Sequence, residues 1–388
     1  MGLKDKVSIE RALTKLASFQ YRYYKQIIVA ALIITVFLGY GATELHFQGN
    51  IAKEMPQDLP VFVLQEKIAS KFKGEEFMII AVCLDKETGA KNIPRDIRDP
   101  KIIASVVDLH ERLEAESSIE RVQSIAPFFQ QDVPDDIEGV KKKLASVPGA
   151  ESFFNDDFSI MLVYASPIAG LSEEKVREAT DMIQGDVDAI TKPAGVKYKI
   201  TGMAPLIIEL LKLMREDMIF TTLVAAAIIF GLLALLERSF TKGFLVFLPL
   251  IFAITWTFGT MGFLGIPISI STVTVGALII GLGVEYGIFM VSRYYKEREK
   301  YAPSEALKIA VSNIGASTFG SAATTTAAFL ALTISVMPMI QHLGQTLALG
   351  IIFCWVAAAV VNPCFIVFEE RIEARKLGEG LRKWVGKG

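Results

Sequence analysis

The sequence predicts a polytopic α-helical membrane protein with six spans and an α+β domain set between the first span and the second. Three observations carry the prediction. The 388 residues are 52% apolar, and the mean hydropathy of +0.42 lies above that of an ordinary soluble domain. Six apolar segments approach or exceed the roughly 20 residues of helix that cross a bilayer core. Between the first and second of these lies a long stretch, 44–217, in which short apolar runs alternate with charged, helix-periodic ones.

Residues 1–26 are basic and amphipathic. Ile9, Leu13, Leu16 and Phe19 recur near helical spacing, with lysines and arginines between them. Two placements fit this pattern: a helix lying on the cytoplasmic leaflet, or a solvated helix packed on the cytoplasmic loops. Residues 27–43 form the first span. Its long leading segment, with no small-x-small cleavage pattern after it, reads as an uncleaved signal anchor.

In the 44–217 domain, Phe77–Leu84, Arg121–Ile125, Ser159–Ala165 and Val196–Thr201 read as strands, the last an edge strand. Asp99–Ala115, Pro134–Val147 and Ser172–Ile190 read as helices, each with an acidic or proline-bearing start. The order β-α-β followed by β-α-β suggests a ferredoxin-like unit. Met203–Glu216 is an amphipathic helix that leads into the second span.

The remaining spans fill 218–368: Met218–Leu236, Gly243–Phe263, Ile268–Ser292, Ile314–Val336 and Gly344–Phe368, followed by a tail at 369–388. Lysine and arginine crowd the N-terminal segment, the turn at Arg238 and Lys242, the loop from Arg293 to Lys308, and the tail. The turns Leu264–Pro267 and Met337–His342 hold none. Both termini are then cytoplasmic and 44–217 is exterior, in a cell membrane.

A net charge of −2 gives no sign of nucleic-acid binding. Cys83 stands alone in the soluble stretch, Cys354 and Cys364 lie in an apolar run, and no disulfide framework emerges. His46, His110 and His342 are far apart and show no metal spacing. There is no phosphate loop and no nucleotide fingerprint. No catalytic constellation, metal or cofactor is expected, so the energy for any work must come from ion movement.

The chemistry concentrates in GLGVEYGIFMVSRYYKERE, residues 281–299. Glu285 lies deep inside the apolar run that begins at Ile268. An acid at the bilayer centre costs about 2.5–3.5 kcal/mol on insertion scales, and such residues face a protein interior or an aqueous cavity. Apolar burial favours the neutral form of a carboxylic acid, so proton carriage by Glu285 is the expected role. Tyr286 beside it either orients the acid or simply packs. Gly276, Gly281, Gly283 and Gly287 on this span, and Gly320 on the next, mark faces where helices approach closely. Thr324, Thr325 and Thr326 lie mid-span and must hydrogen-bond either their own helix backbone or Glu285. Asn362 is expected to satisfy backbone groups freed by Pro363. His342 reads as interfacial.

Two segments resemble the RND superfamily of exporters, and within it the MMPL-type group and related hydrophobe/amphiphile efflux half-transporters. One is 281–299, similar to the family's G-[LIV]-G-x-[DE]-Y-x-[IV]-x-x-x-x-R-[YF]-x-E-E. The other is 320–368, from TTTAAFLALTISVMPMIQHLGQTLALGI to Asn362-Pro363. The resemblance implies that the exterior segment is a porter domain and that Glu285 and Tyr286 are the proton relay, with Glu where Asp is commoner. It implies lipids or other hydrophobic amphiphiles as substrates, driven outward by protons. Typical members carry two six-span halves where this chain carries one, so a homodimer is expected, each fourth span facing its mate's. Two other readings stay open: a SecDF-type protein-translocation accessory, and a non-transporting, sterol-sensing-like receptor.

Overall fold

The computed structural model describes residues 3–49, 54–56, 58–71, 77–85, 94–168 and 173–372. The predicted tail beyond 372 and the start of the helix expected from Ser172 lie outside the described residues. The chain divides into two compact units, 57–212 and a second built from 1–56 with 213–388.

The 57–212 unit opens with helix α2 (Pro60–Lys71), so numbered by its place in the chain. Strand β1 (Met78–Leu84), helix α3 (Pro100–Ala115), strand β2 (Ile119–Gln123) and helix α4 (Ile137–Ala145) follow. Strand β3 (Ile160–Pro167), helix α5 (Glu173–Ala189) and strand β4 (Val196–Gly202) complete it. The four strands form one sheet in the order β2-β3-β1-β4, and every neighbouring pair is antiparallel.

Strand alternation sets the core of this unit. Met78, Ile80 and Val82 on β1 stand opposite Ala165, Val163 and Met161 on β3, and all six are buried. Helix α3 lays Ile102, Val106, Leu109 and Leu113 into the same cluster, and α5 adds Ala179, Ile183 and Val187. The start of α3 is fixed locally: Pro100 occupies the first turn and the Asp99 carboxylate accepts from the Lys101 backbone N–H at 2.9 Å. Strand β4 is an edge, as its lysines suggest, but Tyr198 turns inward and hydrogen-bonds Ser105 of α3. Burial raises the pKa of that Tyr198 hydroxyl, against the lowering effect of the Ser105 hydrogen bond. Gly202 closes the strand at φ +119°, where a side chain would meet the Phe77 carbonyl.

The second unit is helical. Helix α1 (Leu3–Gly41) kinks at Tyr23, where the backbone leaves helical geometry (φ −112°, ψ 24°). Helices α6 (Met203–Leu236, whose residues from 213 belong to this unit), α7 (Phe240–Leu264), α8 (Val275–Arg298), α9 (Pro303–Ala331) and α10 (Pro338–Val356) complete it. After α10 the chain makes one π-helical turn, Ala357–Val361, and continues helically to 372.

Among the described residues, five helices are long and apolar enough to cross a membrane: Glu10–Glu44, which takes in most of the first and the short turn after it, then α6, α7, α8 and Pro338–Ile372. This is a polytopic membrane protein. Helix α9, where the fifth of the expected spans was placed, falls short of that measure because Ser, Thr and Asn interrupt its apolar run. It nevertheless packs along α1, α8 and α10.

Helices α7 and Pro338–Ile372 are the most enclosed, with 61% of their most apolar stretch buried, whereas α6 has only 6% buried. Helix α1 lies against α7 backbone to backbone, where Gly259 and Gly262 approach Leu38 and Gly41, and Trp256 donates to the Thr35 hydroxyl at 2.9 Å.

The fourth expected span needs correction. Helix α8 starts at Val275, not Ile268. The preceding residues form a turn in which Ile268, Ser269 and Thr272 are buried: Ser269 N–H donates to the Thr272 hydroxyl at 2.8 Å, and Ile268 pairs with Phe47 in an isolated bridge. The late start leaves Glu285 near the middle of the helix.

Candidate functional site

Helix α8 carries the site, and two of its faces behave differently. Tyr286 is 2% exposed and packs with Ile279, Ile280, Ala322, Leu347, Cys354 and Ala358. Ser321 on α9 and Glu285 both lie close enough to its hydroxyl to act on it electrostatically. Glu285 is half-buried and makes no hydrogen bond or ion pair with another described residue. It sits in a stripe with Leu278, Gly281, Leu282 and Phe289, spaced three and four apart and therefore on one helix face. That stripe is open: Leu278, Leu282 and Phe289 are 42%, 40% and 50% exposed.

Helix α9 presents a matching strip of Asn313, Ser317, Ser321 and Thr324, all exposed. Ser321 belongs to this strip and also reaches Tyr286, so the two open faces adjoin at the acid. A carboxylate and a run of hydroxyls at mid-helix are costly to leave against hydrocarbon.

The three threonines divide. Thr324 donates back to the Gly320 and Ser321 carbonyls of its own helix, at 3.1 and 2.9 Å. Thr325 is half-buried. Thr326 is buried, and its hydroxyl has no hydrogen-bond partner among the described residues. None of the three hydrogen-bonds Glu285 among the described residues.

The glycines divide as well. Gly276 receives Thr222 of α6, Gly283 receives Cys354 of α10, and Gly287 lies against the Val246 backbone of α7. Gly281 and Gly320 face open space.

Two further polar sites lie in the same unit. At the Arg298 end of α8, Tyr294 and Arg298 both bond Glu370, the latter at 2.6 Å, and Tyr295 donates to Glu369 at 3.1 Å. At the other end, His342 Nδ1 lies 3.6 Å from a carboxylate oxygen of Glu54, which is only 5% exposed.

Asn362 does not do what the sequence suggested. Pro363 has no N–H to give the Ala359 carbonyl, but the donor that replaces it is Gln20 of α1. Gln20 Nε2 reaches the Ala359 and Val360 carbonyls at 2.8 and 3.1 Å. Sequence reasoning missed Gln20, Ser321 and Glu370. Each meets its partner across a helix boundary, and no local spacing marks such a pair.

The MMPL family matches residues 54–386. The chain belongs to the MMPL family. It is 33% identical to the membrane protein MJ1562 of Methanocaldococcus jannaschii over 94% of this chain and 95% of that one. It is 24% identical to the transport protein MmpL4 of Mycobacterium leprae, over 88% of this chain but 34% of MmpL4. It is 24% identical to the siderophore exporter MmpL5 of Mycobacterium tuberculosis, over 55% of this chain and 24% of MmpL5. The chain thus spans about the full length of one relative and about a third or less of the two mycobacterial ones. The two mycobacterial relatives are a transport protein and a siderophore exporter, and the arrangement around Glu285 belongs to the part of the chain that the family match covers.

Proposed function

We propose that this protein is a secondary active transporter, not an enzyme, that uses the proton-motive force to export hydrophobic or amphiphilic molecules, lipids among them, across the cytoplasmic membrane. Helix α9 is the fifth of its six spans, the 57–212 unit is an exterior ferredoxin-like porter domain, and both termini are cytoplasmic. Supporting this layout are the antiparallel strand order β2-β3-β1-β4, the packing of α9 among the other spans and the charge on the turns.

The observation that carries the reading is the place of Glu285. It lies at mid-helix, beside a buried tyrosine, on a face the protomer leaves uncovered. Two copies related by a two-fold axis would cover that face with itself, placing Glu285, Leu282 and the polar strip of α9 against their mates. Small and polar residues are what close helix contacts inside a membrane use. In such a dimer the acid is shielded from lipid and can alternate between charged and neutral forms, with Tyr286 and Ser321 as its immediate hydroxyl neighbours. The amphiphilic nature of the substrate is supported by the siderophore exporter among the relatives.

The test is proton entry into proteoliposomes under an imposed pH gradient, read with a trapped pH-sensitive dye. Glu285→Gln should abolish the flux while the detergent-solubilised protein keeps its dimer mass and thermal stability. Glu285→Asp should keep part of it. Undiminished flux in Glu285→Gln, or an active monomer, would overturn the reading.

A further inference from the structure

The segment Ala357–Cys364 is the most completely enclosed part of the last long helix. Ala357, Ala358, Ala359, Val361, Asn362 and Cys364 are all between 0% and 3% exposed. Within it lies the π-helical turn Ala357–Val361, a geometry found mostly as single turns and often at functional sites. Two amides meet here. Gln20 is fully buried; its Nε2 is used by the Ala359 and Val360 carbonyls, and its Oε1 has no partner among the described residues. Asn362 is 1% exposed, and neither its Oδ1 nor its Nδ2 has a partner among the described residues. Three buried amide atoms, two acceptors and one donor, are thus left over within about one helical turn.

A buried polar group without a partner costs about 1–3 kcal/mol, and one site does not collect three of them idly. Water resolves the difficulty when a polar site offers it two to four partners. The level of the site in the bundle matters too. Ala358 shares an apolar cluster with Tyr286, whereas Cys364 shares one with Met290, Val291 and Tyr294. Asn362 therefore lies between the Tyr286 level and the Tyr294 level, toward the basic end of α8, and its turn packs on α8.

We propose that Asn362 and Gln20 form an internal water site on the basic side of Glu285, and that this water carries protons between Glu285 and that face of the membrane. The carrying role rests on the relay reading above, whereas the water site itself does not. Asn362 is a positioning residue: it both donates to and accepts from the water and so holds it in line, while Gln20 supplies the second acceptor. The water takes up a proton from the basic side and releases one on its other side, toward the level of Glu285, so no group is consumed.

The full chain in lipid nanodiscs, imaged by cryo-electron microscopy at a resolution that shows ordered water, should have density within hydrogen-bond distance of the Asn362 amide and Gln20 Oε1. In the proteoliposome assay, Asn362→Leu fills and dries the site and should cut proton flux about a hundredfold, the low end of what a positioned proton-transfer group contributes. Asn362→Ala leaves room for water and should keep most of the flux, which also serves if the leucine variant fails to insert. Glu285→Gln should retain the water density while losing flux; if it keeps flux, the relay reading fails and the density alone decides the site. The proposal is overturned by an Asn362 amide bonded to protein with no water beside it. Wild-type flux in Asn362→Leu, or equal loss in the leucine and alanine variants, which would mark a packing defect, overturns the carrying role.

Discussion

Gln20→Leu removes a hydrogen-bonding bridge from α1 to the turn before Pro363. The substitution keeps an apolar body of similar size and deletes two hydrogen bonds, at 2.8 and 3.1 Å, to the Ala359 and Val360 carbonyls. Interhelical hydrogen bonds inside membranes average about 0.6 kcal/mol and reach about 1.7, so two of them give roughly 1–3 kcal/mol. Deleting the unpartnered Oε1 returns part of this, leaving a destabilisation of about 1–2 kcal/mol.

The decisive comparison is with Pro363→Ala, which restores an N–H four residues after Ala359 and gives that carbonyl a donor of its own. In Pro363→Ala, losing Gln20 should cost less than it does in the natural sequence, with a coupling of at least about 0.5 kcal/mol. Reversible unfolding of the four proteins in mixed detergent micelles measures the cycle. Strict additivity, or a Gln20→Leu protein as stable as the parent, would refute the claim that Gln20 stands in for the missing donor.

Gly281→Trp should leave each protomer folded, because that position faces open space, yet shift the solubilised mass from dimer to monomer. Gly287→Ala, by contrast, puts a methyl group against the Val246 backbone and should lower stability by about 1–3 kcal/mol without changing assembly selectively; thermal denaturation of both variants separates the two effects. Tyr294→Phe deletes the hydroxyl bonded to Glu370 and should cost about 1 kcal/mol, seen as faster amide exchange at 362–372. Asp96 tests pH dependence. Burial raises its carboxyl pKa, but the Arg98 hydrogen bonds and charge, with help from Lys141, outweigh burial and hold it below the usual aspartate value. Its contribution is therefore present above the unfolded-state pKa and lost as pH falls through the lower folded-state one. Asp96→Asn should lower stability by up to about 1 kcal/mol at neutral pH, with the difference from the parent fading in acid; an equal difference at pH 7 and in strong acid would contradict this assignment.

What the sequence disclosed was whatever depends on neighbours along the chain. The Asp99-Pro100 start of α3 and the alternation of Met78, Ile80 and Val82 are local signals, and the structure carries them unchanged. Glu285 stood out because one acid among apolar residues is visible without coordinates. The start of α8 was hidden, because Ile268–Thr274 is as apolar as a helix and only the Ser269–Thr272 turn reveals otherwise. Helix α2 escaped notice since Val61, Val63 and Leu64 are exposed and give no clean amphipathic period. The open stripe around Glu285 could be read only once neighbouring helices had claimed the other faces of α8.

The link between Gln20 and Ala359 joins residues 339 positions apart. During synthesis the first transmembrane segment emerges long before the last, so its amide waits in the bilayer while nearly the whole polypeptide is made. A nascent chain that has not yet reached Ala359 therefore lacks this clasp and holds its first helix through the packing on α7 and α9 alone, so the last helix adds the final tie.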